Sequence, residues 1–252
     1  MIMTMAKRMQ AAAFLAVALV ASACDRTETR TRSVTTTSRA GSSTVPSSAA
    51  AERRSDALVR VLQVVPSSTT LDLFAGDLLL FEGLGFKTVT PYRAVDGKRY
   101  AFALRPAGMT QAKPLSSNTE DLKDGVFYTA IAMPGDAQGP LLRVVNDHLD
   151  SPSAGKARLR IVHAGSDAGQ IDLRPTGSTS TLFDHVDYQT VSDYKDVAPM
   201  NGQLDVVGAS ASVSVRTAAH LEAGRFYTLV IVANAAAPSK LEAFLIEDAL
   251  SP

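Results

Sequence analysis

The amino-acid sequence predicts an all-β chain with two tandem domains of the sandwich or barrel type. Beyond residue 55, short runs of Val, Ile, Leu, Thr, Tyr and Phe alternate with clusters of Gly, Pro, Asn, Asp and Ser, the pattern of strands joined by turns. Helical periodicity is hard to find in these runs. Several segments also recur about 100 residues later, which is the signature of a repeated domain.

The first 23 residues have the three regions of a signal peptide. Lys7 and Arg8 precede an uncharged, apolar run from Ala11 to Ala23. This run is shorter than the roughly 20 residues that a membrane-spanning helix needs. We therefore expect residues 1–23 to direct export and not to remain as a membrane span.

The last residues of this segment, Val20-Ala21-Ser22-Ala23-Cys24, resemble the lipobox of bacterial lipoproteins, in which the cysteine becomes the lipidated first residue. Ala21 stands where leucine is commonest. An ordinary signal cut after Ala23 would instead leave Cys24 as a free thiol. Because Cys24 is the only cysteine, it cannot form a disulfide within the chain. We expect lipid attachment at Cys24, and hence a membrane-anchored lipoprotein in the periplasm or on the cell surface.

Residues 24–55 differ in composition from the remainder of the chain. They are rich in Thr, Ser, Ala and Arg and contain no aromatic residue, so they cannot bury enough apolar surface to offset the entropy of ordering. We expect them to form a flexible tether between Cys24 and the first domain. The whole chain has a formal net charge of +0, which argues against nucleic acid as a partner.

The repeat divides the rest of the chain into a first copy at 56–149 and a second copy at 157–250, joined by a hinge at 150–156. In both copies a glycine, Gly125 or Gly224, precedes a Phe-Tyr-Thr motif, and we expect a turn with positive φ there. The clearest repeated pairs are "LFEGLGFKTVTPYRAV" (80–95) with "LFDHVDYQTVSDYKDV" (182–197), and "DLKDGVFYTAIAM" (121–133) with "HLEAGRFYTLVIV" (220–232).

One predicted strand of the second copy, "RFYTLVIVA" (225–233), is apolar on both faces, although one face of a sandwich strand normally meets water. Its outer face is therefore covered either by the other copy or by loops of its own domain. Both explanations stay open at this point. The strands predicted in the second copy lie near 158–163, 170–174, 181–184, 188–197, 203–208, 211–216, 225–233 and 241–247.

The second copy in particular resembles the bacterial family called domain of unknown function 4397. The family pattern places a histidine after the first strand, and His163, Asp167 and Asp172 match it; in the first copy, Gln63 replaces the histidine. The resemblance implies immunoglobulin-like β-sandwich domains in an extracytoplasmic protein, and it implies no established activity. The segments that carry the resemblance are "RLRIVHAGSDAGQIDL" (158–173), "VSDYKDVAPMNGQLDV" (191–206) and "LEAGRFYTLVIVA" (221–233).

The candidate binding residues are His163, Asp167 and Asp172, because imidazole and carboxylate groups can hold a metal ion or transfer a proton. The alternative is structural: His163 caps a turn and Asp172 bonds nearby backbone. His185 lies between two acids in "DHVD" (184–187), but neighbouring side chains of a strand point to opposite faces, which favours a solvated strand end. We find no spacing typical of a zinc, calcium, nucleophile or dinucleotide site, and we predict no metal, cofactor or catalytic residue.

These observations predict a non-enzymatic surface or periplasmic lipoprotein that displays two sandwich modules. Its partners would be the membrane, through the lipid anchor, and an unidentified envelope protein or polysaccharide. The alternative is a small-molecule, metal or carbohydrate site in the second copy, with hydrolysis as an option. Recurring tyrosines, Tyr92 with Tyr194 and Tyr128 with Tyr227, would suit sugar stacking, but paired tyrosines more often pack in a core, and the chain has no tryptophan.

Overall fold

A computed structural model describes most of the chain beyond residue 55. All of the described residues belong to one compact unit, Pro46–Pro252. The predicted signal peptide (1–23), the lipidated Cys24 and the tether (24–55) fall outside the described residues. In the part of the chain that is described, no helix is long and apolar enough to cross a membrane. The described ranges are 56–66, 69–135, 139–208 and 214–248.

The first half of the unit, residues 56–149, folds into two sheets. Its strands are β1 (Asp56–Gln63), β2 (Leu71–Ala75), β3 (Leu78–Leu84), β4 (Thr88–Val89), β5 (Arg93–Asp96), β6 (Arg99–Pro106), β7 (Ser116–Asp121), β8 (Phe127–Pro134) and β9 (Pro140–Asn146). One sheet has the order β4-β1-β8-β9, with β5 also paired to β1, and the other has the order β3-β2-β6-β7. Strands β1 and β8 are parallel.

The second half, residues 157–248, also folds into two sheets. Its elements are β10 (Ala157–Ala164), a 3-10 helix (Ser166–Ala168), β11 (Ile171–Pro175), β12 (Phe183–Val186), β13 (Lys195–Val197), β14 (Met200–Gly208), β15 (Ser214–Leu221), β16 (Phe226–Asn234) and β17 (Ala237–Glu247). The sheet orders are β13-β10-β16-β17 and β12-β11-β14-β15, and β10 is parallel to β16. The strand order of the first half therefore recurs, and the predicted all-β sandwich fold is confirmed.

Each half encloses a core of its own between its two sheets. The first core draws on residues from Ala57 to Val144, and the second on residues from Ala157 to Leu241. Alternation along each strand decides which residues enter these cores. In β1, for example, Val59 and Val61 belong to the first core and are fully buried. Full burial of such a side chain contributes about 1.5–3 kcal/mol.

A third apolar cluster joins the two halves. In β16, Tyr227, Leu229 and Ile231 face the second core, whereas Val230 and Val232 belong to a cluster that also contains residues of β1 and β8. The sheets that contain β1 and β10 therefore pack face to face, and the other two sheets lie outside them. The outer face of "RFYTLVIVA" is covered by the other half, not by loops of its own.

The predicted strand at 188–197 is wrong over most of its length. Only residues 195–197 form a strand, β13. A turn precedes it, in which the N–H of Thr190 bonds the carbonyl of Asp187 at 3.2 Å and Gln189 has φ of 61°. Positive φ at a residue other than glycine leaves no signal in composition. The predicted positive φ of Gly125 and Gly224 is confirmed, at 73° and 80°.

The two halves run in the same direction along their shared face. Arg60, in the middle of β1, contacts Asp248, which follows β17, and Arg160, in the middle of β10, contacts Asp147, which follows β9. The apolar cluster lies nearer the ends of the strands β1 and β10. We call the end with the arginines the entry end, because β1 begins there at Asp56. The opposite end, where β1 and β10 finish, is the free end.

Candidate functional site

The most distinctive feature of the molecule is a set of charged and polar side chains buried between the halves at the entry end. We call this set the buried charge cluster. Each half supplies one arginine, one threonine, one aspartate and one tyrosine to it. Its members are Arg60, Tyr92, Thr129 and Asp147 from the first half, and Arg160, Tyr194, Thr228 and Asp248 from the second.

Each arginine of the cluster binds across the boundary between the halves. Arg60 donates from Nε to Thr129 of its own half at 2.9 Å and forms an ion pair with Asp248 of the other half. Arg160 repeats this arrangement: it donates to Thr228 at 2.9 Å and forms an ion pair with Asp147 at 2.7 Å. The two ion pairs are therefore exchanged between the halves.

The aspartates are held in place by hydroxyl groups. Tyr92 and Thr129 donate to Asp147, and Tyr194 and Thr228 donate to Asp248, at distances of 2.7–2.8 Å. Each guanidinium also lies over a tyrosine ring of its own half, at 4.9 Å from the ring centroid in the first half and 4.7 Å in the second. Ion pairs, hydrogen bonds and cation–π contacts thus all stabilise the buried charge cluster.

The electrostatics follow from burial and pairing. Burial alone would lower the pKa of Arg60, but the attraction of Asp248, with further contributions from Tyr92 and Asp147, holds it above its ordinary value. Burial raises the pKa of Tyr92 and of Tyr194 well above the usual range. Both arginines stay charged and both tyrosines stay protonated at neutral pH. The cluster contains as many arginines as aspartates, and its buried, paired side chains suit a structural role better than proton transfer.

Residue types alone did not identify the cluster, although the repeat contains a signal for it. Arg60 and Arg160 each stand between two apolar residues of the first strand of a repeat, and Thr129 and Thr228 follow the recurring Phe-Tyr pair. A charged residue that recurs inside a strongly apolar strand indicates a paired, buried position. The identity of the partner could not be inferred, because it belongs to the other half.

The predicted binding residues of the second half lie at its free end. His163 is fully buried, and its Nε2 lies 2.8 Å from the carbonyl oxygen of Gly169. Its Nδ1 accepts a hydrogen bond from the N–H of Gly165 at 3.3 Å. Burial lowers the pKa of His163 below its ordinary value, despite the opposing contributions of Gly169 and Asp187. Both ring nitrogens are therefore occupied by the turn that follows β10.

The two predicted aspartates are not joined to His163 by any hydrogen bond among the described residues. Asp172 accepts a bond from the backbone N–H of His185 at 2.8 Å, and Asp167 is exposed and bonded to Ser166. No group of three or more His, Cys, Asp or Glu side chains in the described ranges is arranged to hold a metal ion. The structure thus does not bring the three predicted residues together around a common point.

Asp172 has an equivalent in the first half, with the same kind of partner. Asp72 accepts backbone hydrogen bonds from Gly83 at 2.8 Å and from Gly108 at 2.9 Å. Gly83 has φ of 64°, and His185, at the equivalent position, has φ of 52°. His185 thus occupies a backbone conformation that glycine adopts more easily, and its imidazole lies 3.6 Å from Asp184 at the surface.

The recurring tyrosines do not form an exposed platform for a sugar ring. Tyr128 and Tyr227 are buried, and each accepts a backbone hydrogen bond at 3.0 Å, from Lys123 and Glu222 respectively. Tyr92 and Tyr194 belong to the buried charge cluster. Their recurrence reflects packing within and between the halves.

The fold and the shared face define a class of protein: an all-β chain of two sandwiches joined by a buried polar face. A family model described as "Domain of unknown function (DUF4397)" matches residues 57–174. This match supports the family resemblance of the sequence. It extends from β1 through the whole first half to β11 of the second, whereas the resemblance in the sequence is clearest in 158–233. No curated protein sequence matches the chain.

Solved structures show weak similarity. The C-terminal domain of AlgF from P. aeruginosa is 17% identical, with coverage of 37% of this chain and 99% of that domain, at a TM-score of 0.31. A candidate cell adhesion protein from Bacteroides eggerthii DSM 20697 is 9% identical over 76% of this chain and 95% of its own, at 0.17. Another, from Bacteroides ovatus ATCC 8483, is 9% identical over 78% and 98%, at 0.23. At these TM-scores the similarity indicates no shared function.

Proposed function

We propose that this chain is a non-enzymatic, membrane-anchored lipoprotein of the bacterial cell envelope in which two copies of one β-sandwich domain form a single binding module. The observation that carries the proposal is the buried charge cluster. Its four charged residues all serve to join the halves, and each residue is at most 5% exposed. In an exposed cleft, these arginine and aspartate side chains would be candidates for catalysis or ligand binding. Here they are buried, and a substrate cannot reach them.

The direction of the chain supports display of the free end. Three parts of the chain lie at the entry end: Asp56, the segment between the halves, and Asp248. Two backbone hydrogen bonds mark this end: Gly125 donates to the carbonyl of Asp56, and Asp248 donates to the carbonyl of Phe226. A flexible tether of the length of residues 24–55 has a root-mean-square span of about 30 Å. A lipid anchor at Cys24 would hold the entry end toward the membrane and leave the free end accessible to a partner.

Metabolic labelling of the full chain tests the anchor. We expect radiolabelled palmitate to be incorporated into the wild-type chain and the protein to sediment with the membrane fraction. The Cys24→Ala variant is expected to lose the label and the membrane association, while its unfolding midpoint stays unchanged. Label retained in Cys24→Ala, or a wild-type chain without label, would refute the lipoprotein proposal.

A thermal-shift screen of the full chain tests the absence of a small-ligand site around His163. A ligand that binds only the folded state at 100 times its Kd adds about 2.7 kcal/mol to the free energy of unfolding. With divalent metal ions and cell-envelope saccharides we expect no shift that depends on His163. A saturable shift that His163→Ala abolishes would place a specific site in the second half and overturn this part of the proposal.

A further inference from the structure

The face between the halves is composed of equivalent residues from the two copies of the repeat. In the first half, Leu62 of β1 pairs with Ile131 of β8, and in the second half Val162 of β10 pairs with Val230 of β16. All four side chains belong to the apolar cluster that joins the halves. The buried residues of this cluster in the described ranges form equivalent pairs: Leu62 with Val162, Val64 with Ala164, Ile131 with Val230, and Met133 with Val232.

The ion pairs across this face follow the rule of an interface with twofold symmetry. In such an interface, when residue i of one domain contacts residue j of its partner, residue j contacts residue i in return. Arg60 of the first half pairs with Asp248 of the second, and the equivalent residues Arg160 and Asp147 pair in the opposite direction. Each half thus carries both the arginine and the aspartate that a second copy of the same face requires.

The hinge at 150–156 is bonded to the second half. The N–H of Ser153 donates to Asp196 at 3.1 Å, and the carbonyl of Lys156 accepts from the N–H of Gly224 at 2.8 Å. Arg158 also donates to the carbonyl of Asp150 at 3.0 Å. Among the described residues, no hydrogen bond joins the hinge to residues 56–149. The first half therefore separates from the hinge without the loss of a hydrogen bond.

We propose that the same face binds a second copy of this chain, in an exchanged dimer in which the first half of each chain pairs with the second half of the other. Every contact of the face is formed again in this dimer, because the partner faces are those of the closed chain. The two states differ in the hinge and in the concentration at which the halves meet. A short linker gives an effective concentration on the order of millimolar, so the wild-type chain should be a closed monomer at micromolar concentration. The inference does not depend on the lipid anchor.

Mixtures of two single variants test the exchange. In the closed chain, Asp248→Ala leaves Arg60 without its ion pair, and Arg60→Ala leaves Asp248 without its own. A mixed exchanged dimer of these two variants has one complete face and one face that lacks both residues, so neither charge stays unpaired. We expect the variants, refolded together from urea, to give roughly tenfold more dimer than either variant alone, since an unpaired buried charge is strongly unfavourable. Native mass spectrometry identifies the mixed dimer by its mass.

The matched control is the mixture of Asp248→Ala with Asp147→Ala. Its mixed dimer also has one complete face, but the second face keeps Arg60 and Arg160 without either aspartate. The number of unpaired arginines is then the same as in the two closed chains, so this mixture should give no more dimer than its separate components. Every chain is full-length and also carries Cys24→Ala, so association through a lipid anchor or a disulfide is excluded.

Asp248→Asn with Arg60→Met repeats the test with side chains closer in size to the originals, in case an alanine variant does not fold alone. A mixture that forms no more mixed dimer than the control, or that folds no better than its separate components, would overturn the inference. Equal amounts of dimer in the test and control mixtures would assign the association to another surface, with the same consequence. Lipid labelling is measured on a chain with an intact face, so failure of the lipoprotein proposal and failure of this inference are distinguishable.

Discussion

The entry end and the free end of the molecule differ in how closely one half repeats the other. At the entry end, every residue of the buried charge cluster has the same residue type in both halves. At the free end, some equivalent positions carry different residue types, among them Gln63 with His163 and Gly83 with His185. The backbone is alike at both ends, so the divergence concerns side chains.

Buried charge explains this difference. At the entry end, each arginine depends on an aspartate of the other half, so replacing one residue leaves a charge unpaired in the interior, which is strongly unfavourable. At the free end, His163 finds its hydrogen-bond partners within its own half. A residue there can be replaced without disturbing the other half. The charged positions at which each half depends on the other therefore carry the same residue type in both halves.

The largest expected effect is on the buried charge cluster. Asp248→Ala leaves Arg60 buried without its carboxylate and should lower the free energy of unfolding by about 3–5 kcal/mol. Asp147→Ala should cost a similar amount, since it deprives Arg160 of the equivalent partner. Urea unfolding of the full chain measures both effects.

Arg216→Ala is the control for these variants, because the ion pair of Arg216 with Asp205 lies at the surface, with the arginine side chain 55% exposed. Its removal should cost at most about 1 kcal/mol. If Asp248→Ala lowers the free energy of unfolding no more than this control does, buried charge does not explain why the two ends differ.

The equivalent positions 83 and 185 provide a second comparison. Gly83 has positive φ, and the space around it is open, so Gly83→Ala should cost about 1–2 kcal/mol through backbone strain alone. His185→Gly relieves the same strain in the second half and should add up to about 1 kcal/mol. Thermal unfolding of the two variants checks that the effects have opposite signs; the same sign would show that side-chain contacts outweigh backbone conformation.

His163 should give the second half a pH dependence of stability that Gln63, at the equivalent position, does not give the first half. Burial lowers the pKa of His163 in the folded state, so the unfolded chain binds more protons and stability falls as the pH drops below about 6.5. His163→Gln introduces the residue of the first half and should remove this part of the pH dependence. Unfolding curves of both proteins from neutral to mildly acidic pH measure the difference.

The other three histidines are the same in both proteins, so the difference between the two curves isolates His163. A difference that stays constant across this pH range would mean that His163 is not neutral and buried in the folded protein.

The smallest effect is expected at the partly exposed salt bridge of the free end. Lys87 and Glu242 are about one-third exposed, so Lys87→Gln should cost only about 0.2–1 kcal/mol. The loss should shrink at high salt, because screening weakens such pairs. A loss that is independent of salt would assign the effect to the contacts of the Lys87 ammonium with the rings of Phe86 and Phe244, whose centroids lie 5.2 and 5.9 Å away.

Several features of the fold could be predicted from the sequence because they depend on local pattern. Alternation of apolar and polar residues locates the strands, and the glycines before each Phe-Tyr-Thr motif mark turns with positive φ. The strand predicted at 188–197 is wrong over most of its length, and a turn in which Gln189 adopts positive φ without being glycine occupies its beginning. Residue type carries no record of a conformation that distant contacts impose.

The candidate sites were less predictable for a related reason. His163, Asp167 and Asp172 are close in sequence and chemically suitable, but their hydrogen bonds go to separate partners. The repeat of Arg60 as Arg160 was visible, whereas the exchange of their partners between the halves was not. An ion pair between residues 188 positions apart leaves no trace in local pattern.

The sequence by itself determined the all-β fold, the internal repeat and the apolar character of both faces of β16, since each of these follows from the order of residue types along a short segment. Only the tertiary structure decided that the second face of β16 lies against the other half, that the arginines cross between the halves, and that Lys87 of one half pairs with Glu242 of the other. The physical reason is that a strand encodes its own alternation, whereas the partner of each face is set by packing over the whole chain.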